Sequence, residues 1–341
     1  MLGWGPVAIW LPTLMLAIEV AVFPADALFL IAGPCVAESD DLNLRVGEHL
    51  ARLAERVPGG IIYKASFDKA NRSNAGAARG LGLDEGLAAL QRVARATGLP
   101  ILTDVHLPEQ CAVAAEVVDV LQIPAFLCRQ TDLLEAAGAT GKPVNIKKGQ
   151  WMHPEGMRGA VEKVRMARES GVVNRESGIR SRKSGIGNQE AEYADAELQQ
   201  QSEFGAQRNG PGDSRFPLPD SRFPTSEIAV TERGTFYGYG DLVVDMRSFM
   251  RMRAACEAPV IFDATHSVQR PGQGAGGSSG GAREYIPPLT LAAVAAGADA
   301  LFLETHPDPA NAPSDGPNMM PLDRLNDLVE RAVETWSLSR G

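Results

Sequence analysis

Short apolar segments alternate with longer amphipathic ones along most of the chain, and this alternation occurs eight times. The apolar segments are FLIAGP (29–34), IIYKAS (61–66), ILTDV (101–105), VLQIP (120–124), VNIKK (144–148), IAVTERG (228–234), VIFDATH (260–266) and ALFLETH (300–306). Their length and composition are typical of buried strands. The segments between them, such as residues 84–98, carry apolar residues three and four positions apart, which predicts helices. Eight strand–helix units in succession predict an α/β fold of the (β/α)8 barrel type rather than an open sheet.

One long polar segment interrupts this alternation. Residues 170–226 are poor in large aliphatic side chains and contain a short direct repeat, DSRFPLP (213–219) followed by DSRFP (220–224). Such a segment cannot bury enough apolar surface to offset its ordering entropy, which predicts a disordered insertion between the fifth helix and the sixth strand. A single barrel is then expected over residues 25–169 and 227–337. The glycine-rich residues 271–284, just after the seventh strand, are interpreted as a lid.

The first 24 residues are largely apolar, yet they fit a signal peptide or a membrane anchor poorly. No Lys or Arg precedes the apolar run, Pro6 and Pro12 interrupt it, and Glu19 lies inside it. We interpret this extension as a segment that caps the barrel or as a misassigned start. A cytoplasmic protein without a membrane partner is therefore expected.

Composition narrows the class of protein further. The chain has 341 residues, of which 44% are hydrophobic and 22% charged, as in a folded globular protein. Its net charge of −9 argues against a general nucleic-acid binder. The four cysteines, Cys35, Cys111, Cys128 and Cys256, are scattered without a CxxC pair. This usage fits a reducing compartment, in which a functional cysteine acts as a thiolate ligand or nucleophile.

Polar residues follow nearly every predicted strand, at the end where a (β/α)8 barrel carries its reactive groups. They are Cys35, Lys64, Asp104, His106, Gln122, Lys147, Lys148, Glu232, Arg233, Asp263, His266, Glu304 and His306. A single polar residue of this kind would be a surface group or a core group with its hydrogen bonds satisfied. Polar residues at the ends of eight converging strands are hard to explain by a structural role alone. The sequence therefore predicts a ligand site at the barrel mouth.

Two sets of chemistry stand out among these residues. The cations Lys64, Lys69, Arg72, Lys147 and Arg233 would share one bowl, and an uncompensated cluster of this kind requires anions, for which phosphates are the natural choice. The second set combines a thiol, an imidazole and two carboxylates. It consists of Cys35, His266, Glu304 and Asp315. These ligand types suit a divalent transition metal.

Several motifs give the chain a family resemblance that covers residues 29–336 outside the insertion. They are IAGPCVAES (31–39), YKASFDKANRS (63–73), LTDVH (102–106), IPAFLCRQTDLL (123–134), VNIKKGQ (144–150), TERGTFYGYGDLVVDMRS (231–248), FDATHSVQ (262–269), SGGAREY (279–285) and ETHPDPANAPSDGPNMMPL (304–322). Together they resemble the 3-deoxy-manno-octulosonate 8-phosphate synthases. The motif KASFDKANRS discriminates best, because the related 3-deoxy-arabino-heptulosonate 7-phosphate synthases differ there.

The resemblance assigns roles to the polar residues. A cysteine at position 35 places the chain with the metal-dependent branch, with Cys35, His266, Glu304 and Asp315 as ligands of a divalent ion such as zinc, iron or manganese. It implies a phosphoenolpyruvate site at Lys64, Gln122, Lys147 and Arg233. It also implies an arabinose 5-phosphate site at Lys69, Asn71, Arg72 and Ser73, with Ser66 as a further substrate-binding residue. Arg129 would reach this second site from a neighbouring subunit of a homotetramer, and Asn74 departs from the serine of many relatives.

The activity that the resemblance implies is a transferase step of lipopolysaccharide biosynthesis. Phosphoenolpyruvate, arabinose 5-phosphate and water would give 3-deoxy-manno-octulosonate 8-phosphate and inorganic phosphate. Lys64, Lys69, Asn71, His266 and Asp315 would be the catalytic residues. Three alternatives stay open at this point, namely heptulosonate 7-phosphate synthesis, a metal-dependent class II aldolase and a non-catalytic phosphosugar-binding barrel.

Overall fold

The structure is a computed structural model of the chain. It describes residues 22–24, 26–70, 79–181, 227–238, 240–274 and 280–340, with the side chains of 172–181 and 237 left out. The predicted substrate residues Asn71, Arg72 and Ser73 lie outside the described residues. So do residues 1–21 of the apolar extension and residues 182–226 of the predicted insertion.

Eight parallel strands form the closed barrel that the sequence predicts. In chain order, the described residues form thirteen strands, eight of which belong to the barrel: β1 (Phe29–Gly33), β2 (Ile61–Lys64), β3 (Ile101–Asp104), β4 (Val120–Ile123), β5 (Val144–Lys147), β6 (Ile228–Glu232), β7 (Thr235–Gly238), β8 (Asp241–Val243), β9 (Val260–Asp263), β10 (Gln269–Arg270), β11 (Gly280–Gly281), β12 (Ala300–His306) and β13 (Met320–Pro321). The barrel order is β1-β2-β3-β4-β5-β6-β9-β12, and β12 pairs back onto β1 with Ala300 opposite Phe29. The (β/α)8 prediction is confirmed.

Helices alternate with the barrel strands. They are α1 (Asp40–Ala54), α2 (Leu83–Thr97), α3 (Pro108–Ala115), α4 (Thr131–Ala139), α5 (Arg158–Ser181), α6 (Ser248–Cys256), α7 (Ile286–Ala295) and α8 (Leu322–Arg340). Helix α1 begins where the Ser39 side chain accepts a hydrogen bond from the Leu42 backbone N–H at 3.3 Å, and its buried face includes Val46, Leu50 and Leu53.

Helix α5 continues past residue 170, the predicted start of the insertion. A helix that is already nucleated adds residues at little cost, so its backbone can extend into a polar sequence. None of the helices in the described ranges combines the length and the apolar character that crossing a bilayer requires.

Apolar side chains fill the inside of the barrel. They include Phe29, Ile31, Ile62, Leu102, Val120, Ala229, Ile261, Ala300 and Phe302. Phe23 is fully buried against them, with its ring centroid 5.7 Å from that of Phe29, the first residue of β1. The described end of the apolar extension therefore packs at the amino-terminal end of the barrel. Polar groups are left to the opposite end of the strands.

A buried ion pair fastens two helices to that amino-terminal end. Asp299, just before β12, accepts hydrogen bonds from the Arg253 guanidinium at 2.6 Å and from the Val260 backbone N–H at 2.8 Å. Its other carboxylate oxygen accepts from Arg340 at 3.2 Å. Arg253 and Asp299 are buried, which makes each dependent on the other for compensation of its charge.

We expect Arg253→Met to lower the free energy of unfolding by about 3 kcal/mol, because it leaves a buried carboxylate short of its main counter-charge. The matched control is Arg92→Met, since Arg92 pairs with Asp40 on the surface and its loss should cost less than about 1 kcal/mol. Urea denaturation of both variants measures the difference. Equal losses of unfolding free energy in the two variants would show that the buried pair contributes no more to stability than the surface pair.

Candidate active site

A cavity of about 1150 Å³ opens at the carboxyl end of the barrel strands. Many of the residues predicted for the site line it. They are Lys64, Lys69, Gln122, Lys147, Arg233, His266, Glu304 and Asp315. Other strand-end residues do not: Lys148 and Glu232 are fully buried 3.4 Å from each other and form a pair outside the cavity.

Three predicted metal ligands lie together at one side of the cavity. The ligand atoms of Cys35, Glu304 and Asp315 are all within 4.8 Å of one another. The Cys35 thiol donates to Asp315 Oδ2 at 3.2 Å. These residues come from the end of β1, from β12 and from the loop after β12, so the closed barrel brings together positions that are far apart in the sequence.

The fourth predicted ligand, His266, stands beside this group. Its Nε2 is 3.7 Å from Glu304 Oε2, and its Nδ1 is 2.8 Å from Asp263 Oδ2. Burial opposes ionisation of Asp263, but His266 and Lys147 outweigh burial and hold the pKa of this carboxyl well below its usual range. Nδ1 therefore donates to the carboxylate, which leaves Nε2 as the atom available to a metal, as in many carboxylate–histidine–metal arrangements.

These residues fit a divalent transition metal. Glu304 Oε2 is buried and has no hydrogen-bond partner among the described residues. A thiol, an imidazole nitrogen and two carboxylates form a donor set that zinc, iron or manganese accepts. Burial raises the pKa of the Cys35 thiol, and the nearby Glu304 raises it further, so the thiol holds its proton until a cation displaces it.

Two of the cavity lysines are paired with carboxylates, which corrects the expectation of an uncompensated cationic cluster. Lys64 Nζ donates to Glu304 Oε1 at 2.7 Å and to the Cys35 carbonyl oxygen at 2.9 Å. Lys147 Nζ donates to Asp263 Oδ2 at 2.6 Å and lies 3.5 Å from the centre of the Phe302 ring. The acidic partners neutralise part of the positive charge, because charges this deeply buried require compensation.

Lys69 and Arg233 make no ion pair with a described carboxylate. Lys69 Nζ donates to Ser66 Oγ at 3.0 Å, and Arg233 donates to the Gln269 side-chain oxygen at 2.7 Å. Burial lowers the pKa of Lys69, but Cys35, Glu304 and Asp104 outweigh it and raise the pKa, so the ammonium stays charged. These two cations are the ones most available to an anionic ligand.

A chain of hydrogen bonds fixes the floor of the cavity. Asp104 accepts from Ser66 Oγ at 2.5 Å and from the Gln122 amide. The Gln122 carbonyl oxygen accepts from Asn145 at 2.9 Å, and Asn145 accepts from Thr231 at 2.7 Å. Because both Asp104 oxygens are engaged, the carboxylate holds Ser66 and Gln122 in fixed positions across three neighbouring strands.

Arg129 does not line the large cavity of its own chain. It lines a separate, smaller cavity of about 360 Å³ with Trp151, His153 and Lys163. Its predicted reach into the site of a neighbouring subunit stays a prediction.

Sequence reasoning assigned no role to Asp263, Asp104, His106 and Gln269, which contact the predicted site residues or line the cavity. Asp104, His106 and Asp263 were among the polar residues expected at the barrel mouth, whereas the signal that could have found Gln269 was its place in the motif FDATHSVQ.

The fold and the cavity together define a (β/α)8 barrel whose mouth brings buried cations next to a group that could hold a metal ion. Residues 22–339 match the DAHP synthetase I family, and the chain belongs to that family. It is similar to the 2-dehydro-3-deoxyphosphooctonate aldolase of Rhodopseudomonas palustris strain CGA009, with 46% identity over 92% of this chain and 89% of that protein. Proteins of the same name from Bradyrhizobium diazoefficiens and Burkholderia cenocepacia are 44% and 45% identical over about 90% of both chains.

Metal binding should release a proton from Cys35. Because its thiol pKa is raised, we expect the wild-type protein at pH 7 to release about one proton more per zinc ion than Cys35→Ser does, and its zinc affinity should fall as the pH is lowered. Calorimetry in buffers with different ionisation enthalpies measures this number. Equal proton release from the two proteins would contradict a thiolate ligand.

Proposed function

We propose that this protein condenses phosphoenolpyruvate with arabinose 5-phosphate and water to give 3-deoxy-manno-octulosonate 8-phosphate and inorganic phosphate. The main support is a cavity that joins a metal-ligand set to buried cations, in a chain 46% identical to a 2-dehydro-3-deoxyphosphooctonate aldolase. That name describes an eight-carbon phosphorylated 2-oxo-3-deoxy acid and carbon–carbon bond chemistry. The KASFDKANRS motif favours this product over the seven-carbon heptulosonate.

Phosphoenolpyruvate would bind at Lys64, Lys147 and Arg233, with Gln122 beside them. Arg233 can offer a bidentate fork to the phosphate or the carboxylate, since its described partner is the neutral Gln269. The two lysines would contribute as partly neutralised point charges held by Glu304 and Asp263. The buried surroundings strengthen each of these contacts relative to water.

Arabinose 5-phosphate would bind at the side of the cavity where Ser66 and Lys69 lie. Asn71, Arg72 and Ser73, which follow Lys69 in the sequence, belong to the same proposed site. We include a homotetramer in the proposal, in which Arg129 of a neighbouring subunit contacts the sugar phosphate. The cytoplasm and lipopolysaccharide biosynthesis are the setting that this reaction implies.

The residues present would hold a divalent ion at Cys35, His266, Glu304 and Asp315. When bound, such an ion supplies either Lewis acidity toward the sugar aldehyde or orientation of the attacking water. The other proposed roles in the reaction belong to protein side chains. Lys69 keeps its ammonium charged beside the Ser66 hydroxyl, and this ammonium can donate a hydrogen bond to the aldehyde oxygen as that oxygen becomes an alkoxide.

The proposed reaction forms a carbon–carbon bond and releases phosphate by cleavage of a carbon–oxygen bond. C3 of phosphoenolpyruvate forms a bond to the aldehyde carbon, whose oxygen takes up a proton. Water adds to C2 and gives up one proton, which leaves a hydroxyl and the phosphate on the same carbon. The C2–O bond to phosphate then breaks, and the hydroxyl gives its remaining proton to the departing phosphate, which leaves inorganic phosphate and the 2-oxo group. By holding both anions, the cations convert a bimolecular encounter into a reaction between neighbours, which can remove a large part of the barrier.

The test of the function is release of inorganic phosphate from phosphoenolpyruvate. We expect release only when arabinose 5-phosphate is present, with much less when erythrose 4-phosphate replaces it. A strong chelator should abolish the activity, and added divalent metal should restore it. Preference for erythrose 4-phosphate would overturn the proposed substrate, and full activity in metal-stripped protein would overturn the proposed metal.

Two arginine variants separate the substrate sites. Arg233→Ala should raise KM for phosphoenolpyruvate roughly ten- to a hundredfold, because a charge-assisted hydrogen bond contributes about 1.5–3 kcal/mol. Arg129→Ala should instead raise KM for arabinose 5-phosphate. Arg233 is a cleaner probe than Lys147, whose removal would leave the buried Asp263 without its lysine. Steady-state kinetics with each substrate varied in turn gives the two constants, and equal effects on both would contradict the division.

A further inference from the structure

The side chain of Gln269 lies between a cavity cation and a predicted metal ligand. Its carbonyl oxygen accepts a hydrogen bond from Arg233 Nη2 at 2.7 Å, and its amide nitrogen donates to Asp315 Oδ1 at 2.8 Å. Both bonds involve a charged group, which makes each stronger than a bond between neutral partners. Gln269 also lines the large cavity. Gln269 is not one of the residues proposed to bind a substrate or a metal ion.

The chemistry of the two partners fixes the orientation of this amide. Arginine has no acceptor, so the Gln269 oxygen must face Arg233. The amide nitrogen therefore faces Asp315 and donates to Oδ1, while Oδ2 of the same carboxylate accepts from Ser314 and Cys35. A neutral amide satisfies both demands. A glutamate could not donate to Asp315, and a lysine could not accept from Arg233.

The backbone around Gln269 holds the bridge in place. Gln269 begins β10 and lies opposite Gly281 of β11. A Cβ at Gly281 would be 1.7 Å from Asn318 Oδ1, so β11 packs directly on the turn that follows Asp315. Arg283 donates to the Gly316 carbonyl oxygen in the same turn. The strand of Gln269 and the turn of Asp315 are therefore parts of one packed unit.

We propose that Gln269 is a positioning residue that couples the anion site to the metal site, an inference that rests on the proposed function. By occupying Asp315 Oδ1, the amide leaves Oδ2 to the Ser314 hydroxyl, 2.8 Å away, and to Cys35 Sγ, 3.2 Å away. By accepting from Arg233, it orients the guanidinium from the other side. A metal that fixes Asp315 thereby also fixes Arg233 for an anion, and the reverse effect follows by reciprocity.

The test measures phosphoenolpyruvate affinity by calorimetry in zinc-loaded and metal-stripped protein. In the wild type, we expect zinc to tighten phosphoenolpyruvate binding by about fivefold or more. Phosphoenolpyruvate should lower the zinc dissociation constant, measured by chelator competition, by the same factor. In Gln269→Ala both factors should fall to less than about half of the wild-type value, because the bridge is lost while the connection through Lys64 and Glu304 remains. Gln273→Ala is the matched control, because Gln273 follows the same strand and its side-chain amide donates, among the described residues, to the Gly240 carbonyl oxygen.

Gln269→Glu tests the bridge without a change of size. It can still accept from Arg233 but cannot donate to Asp315, so the coupling should weaken here as well. A coupling factor that stays at the wild-type value in Gln269→Ala or Gln269→Glu, or one absent from the wild type itself, would overturn the inference while leaving the proposed function intact. Wild-type protein that binds neither zinc nor phosphoenolpyruvate would overturn both.

Discussion

The pairing of Lys64 with Glu304 is the interaction on which the rest of the site depends. Both side chains are almost completely removed from water, and their charges are tolerable there only because they compensate each other at 2.7 Å. The pair joins β2 to β12, the two strands on either side of β1, and Lys64 also donates a hydrogen bond to the carbonyl oxygen of Cys35. It thereby places the thiol and one Glu304 oxygen next to the cavity, while the second oxygen stays free of hydrogen bonds among the described residues.

A packed barrel interior makes this electrostatic arrangement effective. Phe302 lies beneath Lys147 and belongs to a buried apolar cluster with Phe29, Ile31 and Ile261. Coulombic attraction is stronger in such surroundings, so a few cations can hold the two anionic substrates of the proposed function. The same surroundings penalise an unpaired charge, which explains why the acidic partners of the two lysines are as much a part of the site as the lysines themselves.

Hydrophobic periodicity predicted all eight barrel strands, because burial on both faces gives each an apolar run. It did not predict where the strands end. The segment 260–266 was expected to be one strand, but β9 ends at Asp263, whose carboxylate accepts the His266 backbone N–H at 2.9 Å. Nor could spacing reveal the counter-charges of Lys64 and Lys147, because their partners are far away in the sequence and lie two strands away around the barrel. The family motifs supplied the ligand set, and the closure of the barrel supplied the distances.

His266 lies between two carboxylates, and each of these carboxylates also contacts a lysine. Asp263 binds Nδ1 and Lys147, whereas Glu304 binds Lys64 and faces Nε2 at 3.7 Å. Removing one of these five charged or polar groups changes the compensation of its neighbours, and so the effects of single substitutions here will not add. The cavity cations and the predicted metal ligands are therefore one electrostatic unit rather than two independent groups. A bridge such as Gln269 adds a second connection between these same two groups on the Arg233 side of the cavity.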